Sequence, residues 1–172
     1  MKSSDLLDLL RGGVSGSRWA DLGAGEGAFT FALAELLVQG GQIVAVDRDA
    51  YALRGIGEEM SRRFPAVAVE TVTADFTRPL GLSELDGVLM ANSLHFVRDK
   101  APVLSAIRGM LRPEGRLIIV EYGSDRGNPW VPHPFSYRSW ERLAADAGFT
   151  STRLLHTIPS RHLGSMYSAL SM

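Results

Sequence analysis

Residues 18–37, RWADLGAGEGAFTFALAELL, constrain the fold more than any other stretch of this chain. A short apolar run, a turn carrying Gly23, Gly25 and Gly27, and an apolar helical pattern follow one another without a gap. Glycine has no Cβ, so backbone N–H groups at such a strand-to-helix turn can approach a ligand closely. The same alternation recurs downstream. Apolar runs near 18–22, 42–47, 67–73, 86–91 and 115–122 read as strands. Phe29, Ala32, Leu33, Leu36 and Leu37 share one helical face, and so do Val103, Ile107, Met110 and Leu111. This pattern predicts an α/β fold with a doubly wound, mostly parallel, Rossmann-like sheet.

The C-terminal part completes seven strands. A helix over 136–147, with Ser136 as N-cap and Gly148 as stop, puts Trp140, Leu143, Ala144 and Ala147 on one face. Strands at 149–157 and 161–170 follow, joined by a few residues around Pro159. So short a connection requires an antiparallel pair, because a parallel one needs a crossover of a dozen or more residues. We read 1–172 as a single domain with two separate segments: a short amphipathic helix and linker over 1–17, and a long Gly/Pro-rich loop, GSDRGNPWVPHPFS, over 123–136.

Composition removes several kinds of chemistry. With no cysteine in its 172 residues the chain has no disulfide, no thiolate metal site and no cysteine nucleophile. A net charge of -1 gives no overall basic field, which disfavours nucleic acid as a partner. Asp5 and Asp8 interrupt the apolar residues of the N-terminus, and no run approaches the roughly 20 apolar residues of a membrane span. A cytoplasmic location is expected.

The glycine turn alone leaves its ligand open. Gly23, Gly25 and Ala28 also satisfy the dinucleotide pattern G-x-G-x-x-G/A, with Asp47 at a suitable distance for a ribose. Asp21 separates the alternatives. A carboxylate two residues before the first glycine is awkward beside a pyrophosphate and suits a ligand with an ammonium group. DLGAGEG resembles the first motif of class I S-adenosylmethionine-dependent methyltransferases, and IVAVDRD, TVTADFTRPL, DGVLMANSLHFVRD, LRPEGRLIIVEY and AGF follow in that family's order over roughly residues 18–157.

The resemblance implies S-adenosylmethionine as cofactor, S-adenosylhomocysteine as product, and a role for each motif. Gly23, Ala24 and Gly25 would border the cofactor, and Asp21 would orient its amino end. Asp47, with Arg48 beside it, would accept the ribose hydroxyls; a helix N-cap is the ordinary alternative for Asp47. Asp75 and the backbone N–H of Phe76 would hold the adenine, and Asn92 and Ser93 would stand at the mouth.

The loop ANSLH lacks the N/D-P-P-Y/F/W pattern of adenine or glutamine amino methylation, and Ala91 and Asn92 leave no carboxylate cluster for a metal, so no metal is expected. A small-molecule acceptor, methylated on oxygen or nitrogen, remains. Candidate bases are His95, His133 and Tyr122, with Glu121 and Tyr137 on neighbouring segments. Glu121 and Tyr122 are as readily strand-end caps, Trp130, Phe135 and Tyr137 a satellite core, and His156 and His162 structural. With only about 17 residues before the first strand, the site is open or is closed by residues 1–17, by the 123–136 loop or by a second copy in a homodimer. A nicotinamide-dependent oxidoreductase and a non-catalytic methyltransferase-like partner subunit are the competing readings.

Overall fold

The computed structural model describes residues 2–37, 40–160 and 162–172. Met1 of the N-terminal segment and Arg161 of the expected last strand lie outside the described residues. Seven strands form one sheet: β1 (Arg18–Leu22), β2 (Gly41–Asp47), β3 (Val67–Thr73), β4 (Leu85–Ala91), β5 (Leu111–Tyr122), β6 (Thr152–Ser160) and β7 (Gly164–Ser171). Their order is β3-β2-β1-β4-β5-β7-β6. Strands β1 to β5 pair in parallel, and β7 runs antiparallel to both β5 and β6.

Strand order reverses at β1, which has β2 on one side and β4 on the other. Open α/β sheets bind ligands outside the carboxyl ends of the strands at such a switch point. The pairing of β1 with β4 is set by size. Trp19, fully buried, lies opposite Gly87, where any Cβ would collide with the indole ring.

Helices cover both faces. Trp19, Ile43, Ala45, Ile118 and Val120 face a core shared with Leu9 and Leu10 of α1 (Ser3–Leu10), with α2 (Ala28–Leu36), and with Ile56 and Met60 of α4 (Ile56–Arg63). Ala20, Leu22, Val44, Val88 and Leu117 point the other way, onto α5 (Ala101–Met110) and α6 (Tyr137–Asp146). Each fully buried large side chain contributes roughly 1.5–3 kcal/mol over leaving it in water. The alternating sets on one strand fix the register, since a one-residue slip would exchange the two cores.

The expected helix ends hold. The Ser136 hydroxyl accepts the Ser139 N–H at 3.3 Å, and Gly148 adopts φ +87° just after α6. Two helices were not expected, α3 (Ala50–Leu53) and α4. Only Ile56 and Met60 of α4 are buried, too few for a periodic stripe, but its Glu58 and Glu59 at the start and Arg62 and Arg63 at the end complement the helix dipole. The C-terminal hairpin is shifted by three residues: β6 ends at Ser160 and β7 begins at Gly164, which leaves His162 at the tip instead of in a strand. Among the described residues no helix is long and apolar enough to cross a membrane.

Candidate active site

A cleft of about 400 Å³ opens above the carboxyl ends of β1, β2, β3 and β4. Gly23, Gly25, Asp47, Arg48, Asp75, Phe76, Asn92 and Ser93, eight of the residues expected at a cofactor, line it. Asp49, Ala52, Thr77, Phe96 and Val97 line it too and were not foreseen. Ala24 is placed differently: its methyl is buried in the core and does not line the cleft. The turn is built for close approach. Gly23 has φ +84°, and a Cβ there would collide with Ser93.

Asp47 holds the turn in place. Oδ2 accepts the Gly25 N–H at 2.8 Å and Oδ1 accepts the Asp49 N–H at 2.9 Å, so each oxygen keeps a further lone pair. The N-cap that was the ordinary alternative for Asp47 is supplied by Asp49, whose Oδ1 accepts from Tyr51 and Ala52 at the start of α3. Asp75 spends Oδ1 on the N–H and hydroxyl of Thr77, and these bonds hold its carboxyl below the usual range. Ser93 donates its hydroxyl to the Leu22 carbonyl at 2.7 Å, which ties the end of β4 to the end of β1.

Asp21 sits under the turn with 1% exposure. Thr30 donates to its Oδ2 at 2.6 Å, while Oδ1 is buried with no partner. Burial pushes this carboxyl up to about 7; the Thr30 hydroxyl opposes the rise, and the charge of Asp47 adds to it. Asn92 is also unusual. It adopts φ +53°, rare for a residue with a side chain, and its Oδ1 is buried without a partner.

Beside the cleft, behind Asn92 and Phe96, lies a second hollow of about 500 Å³. His95 forms part of its wall, on a short 3-10 turn after β4. Glu121, at the end of β5, grips this residue twice: Oε2 lies 2.7 Å from Nδ1, and Oε1 accepts the backbone N–H at 3.1 Å. His95 is 2% exposed and Glu121 0%. A carboxylate facing Nδ1 calls for the proton on that nitrogen, which leaves Nε2 as the basic atom of the ring. Glu121 is therefore an orienting group, a role the strand-cap reading missed.

The loop 123–136 packs over this pair. Its His133 N–H donates to the His95 carbonyl at 3.0 Å, the Tyr167 hydroxyl donates to the Phe135 carbonyl at 3.0 Å, and Lys100 Nζ donates to the carbonyls of Val97 and His133. Burial lowers the Lys100 ammonium, and the Glu121 charge opposes that shift. His133 thus serves through its backbone. Tyr122 lines the hollow with its ring 5.7 Å from that of His95, and burial followed by the Glu121 charge raises its hydroxyl. Tyr137 instead packs edge-on against Tyr167. The expected aromatic cluster is divided: Phe135 packs on Trp140 in the core, whereas Trp130 stands in the hollow.

A family model described as a methyltransferase domain matches residues 20–117, more than half of the chain. The chain belongs to this family, the class I fold of S-adenosylmethionine-dependent methyltransferases. It is 30% identical over 121 residues to a ubiquinone/menaquinone biosynthesis C-methyltransferase of Ectopseudomonas mendocina, covering 70% of this chain and 47% of that protein. It is 30% identical over 120 residues to an O-methyltransferase of Penicillium expansum, covering 69% of this chain and 43% of that protein. The chain spans half or less of the length of the curated relatives it matches. Among solved structures, an arsenic(III) S-adenosylmethionine methyltransferase of Chlamydomonas reinhardtii superposes with a TM-score of 0.75 at 20% identity, covering 95% of this chain and 65% of that one. Nothing in these matches favours the nicotinamide reading.

Proposed function

We propose that this chain transfers a methyl group from S-adenosylmethionine to a small-molecule acceptor that gives up a proton, with His95 as the base. The observation that carries this reading is the Glu121-clasped His95 in a hollow that shares Asn92 and Phe96 with the cleft at the switch point.

The residues of the cleft fit the cofactor. The two Asp47 oxygens have lone pairs to spare for a pair of ribose hydroxyls and Gly23 leaves the room a Cβ would fill, while the unpartnered Oδ1 of Asp21, buried beneath the turn and outside the cleft's lining, would suit an ammonium group. Asp75 and Phe76 line the same cleft and would be available to an adenine, and Arg48 flanks Asp47. Bound there, S-adenosylmethionine supplies an electrophilic methyl on a sulfonium sulfur that departs as a neutral thioether.

The protein supplies position and a proton acceptor. His95 Nε2 would take the proton that the acceptor gives up. Glu121 holds the ring in the required tautomer and balances the imidazolium that forms. His95 then returns the proton to water. An oxygen, a carbon or a protonated nitrogen all meet this requirement, and the relatives named for O- and C-methylation support the first two.

Two measurements test the reading. Titration calorimetry with S-adenosylhomocysteine and with the nicotinamide dinucleotides should show binding of the former alone, and incubation with isotope-labelled S-adenosylmethionine and a small-molecule extract should label a low-mass product. Binding of a nicotinamide dinucleotide without S-adenosylhomocysteine would overturn the assignment. S-adenosylhomocysteine binding with no labelled product from any acceptor would favour the non-catalytic partner.

A further inference from the structure

We infer that the hollow beside His95 is the acceptor site and that it takes an uncharged, planar, conjugated acid, a phenol or enol, whose polar tail runs toward the N-terminal helix. This inference rests on the methyltransferase reading and names the substrate class of that same site.

The wall of the hollow is mostly rings. Phe96, Tyr122, Trp130 and His162 surround the imidazole of His95. Trp130 is 78% exposed and Phe96 57%, and they are two of only five large hydrophobic side chains exposed among the described residues. Burying these rings against a ligand removes apolar surface from water, and ring against ring adds an orienting preference that a saturated ligand lacks. Trp130 is held out by its loop, where the Asn128 side chain accepts the N–H groups of both Trp130 and Val131 at 2.9 Å.

Charge points the same way. Among the described residues no lysine, arginine, aspartate or glutamate lines this hollow, and the Glu121 carboxylate behind its wall is already committed to His95. An anion shedding water here would meet no cation among those lining residues. A neutral acid enters without that cost, and its proton faces a buried imidazole. The hollow also continues into the cofactor cleft: Asn92, with its unpartnered Oδ1, and Phe96 line both.

A third hollow, of about 520 Å³, shares Asn92, Tyr122 and His162 with the second and adds Lys2, Asp5 and Ser160. It lies between α1 and the tip of the β6–β7 hairpin and is polar where its neighbour is aromatic. A conjugated head against Trp130 therefore leaves a polar tail beside Lys2 and Ser160, with His162 at the junction.

The test is titration calorimetry on the full chain saturated with S-adenosylhomocysteine, using 2-naphthol, its saturated counterpart decahydro-2-naphthol, and the anion 2-naphthoate. We expect 2-naphthol to bind at least about tenfold more tightly than either comparator, which is one decade in Kd or about 1.4 kcal/mol. Trp130→Ala should weaken 2-naphthol roughly two- to tenfold, the range of one aromatic pair, and leave S-adenosylhomocysteine affinity and the melting temperature in place. Trp130→Phe should restore most of the loss. Equal affinity for the saturated alcohol, preference for the anion, no binding of 2-naphthol, or an unaffected Trp130→Ala variant would each overturn the inference while leaving the methyltransferase reading intact. Failure of S-adenosylhomocysteine itself to bind overturns both.

Discussion

The carboxylates on the two sides of the β1–β4 switch point are used in opposite ways. On the β1–β3 side, Asp47 and Asp75 line an open cleft and brace backbone N–H groups of the turns that form it. On the β4–β5 side, Glu121 is wholly buried and spends both oxygens on a single histidine. The first arrangement suits hydroxyl and amino groups of a ligand, which an open site would meet at little desolvation cost. The second fixes a tautomer and, on the proposed mechanism, would sustain the positive charge that proton transfer places on the ring. If the two sides serve binding and proton transfer as proposed, the two functions are separable, and substitutions on one side should leave the other measurable.

The strongest way to break that separation is His95→Gln. Loss of a positioned base typically costs about 10²–10⁴ in rate. Methyl transfer should fall by that factor with S-adenosylhomocysteine affinity unchanged. Glu121→Gln, which can keep an oxygen opposite Nδ1 but then loses the acceptor for the His95 backbone N–H, should slow transfer less and shift the pH profile of the rate. A His95→Gln variant with normal turnover, assayed by labelled methyl incorporation, would show that the dyad is only a structural pair.

Asp21 sits between the two styles, since it belongs to the cofactor side and yet is buried. Its folded value of about 7 exceeds the ordinary 3.8, so the native state binds an extra proton between those limits. Stability is therefore lost as pH rises from about 4 through 7, by up to about 4 kcal/mol, at 1.36 kcal/mol per unit. Asp21→Asn should raise the stability of the free protein at pH 8 and give no gain at pH 4, as read by denaturant unfolding at both values. Affinity of the native protein for S-adenosylhomocysteine should increase between pH 6 and 8, and the variant should lose that trend. A native affinity independent of pH across this window would remove Asp21 from the ammonium site.

The two sides also differed in how far the sequence disclosed them. Gly23, Gly25 and Asp47 were legible because strand, turn and helix are consecutive, and each landmark ends a recognisable apolar run. The pairing of His95 with Glu121 joins positions 26 apart, one on the turn after β4 and one at the end of β5, and no local pattern couples them. Trp130, Phe135 and Tyr137 look like one cluster in the sequence, yet the loop turns Trp130 outward and buries Phe135. His162 was assigned to a strand because its neighbours are compatible with one, whereas the later start of β7 puts it at the acceptor hollow. Helix α4 was missed for want of an apolar stripe, although its terminal charges were visible.

Asp47→Ala sharpens the comparison from the cofactor side. It removes the acceptor proposed for two ribose hydroxyls, at roughly 1.5–3 kcal/mol per charged hydrogen bond before water compensates. Affinity for S-adenosylhomocysteine should fall by at least about tenfold. The change also frees the Gly25 and Asp49 N–H groups, so a lower melting temperature is expected, and titrations belong well below it. If affinity is retained by the folded variant, the second-strand aspartate serves only the turn.

The smallest effect is expected at Asp75. Its side chain is exposed, and the Thr77 contacts already occupy Oδ1, so water replaces much of what the carboxylate offers an adenine amino group. The adjacent N–H of Phe76 is untouched by the substitution. Asp75→Ala should weaken S-adenosylhomocysteine by about two- to fivefold, the low end for a solvent-exposed hydrogen bond. Thr77→Ala, which leaves the carboxylate but removes the hydroxyl that orients it, should give part of that loss. Because the Asp75 carboxyl is held below its usual range, neither effect should change between pH 6 and 8, in contrast to the trend expected from Asp21. Titrating both variants beside Asp47→Ala decides where the cleft grips its ligand: a larger loss at Asp75 than at Asp47 would move the main contact from the ribose to the adenine end.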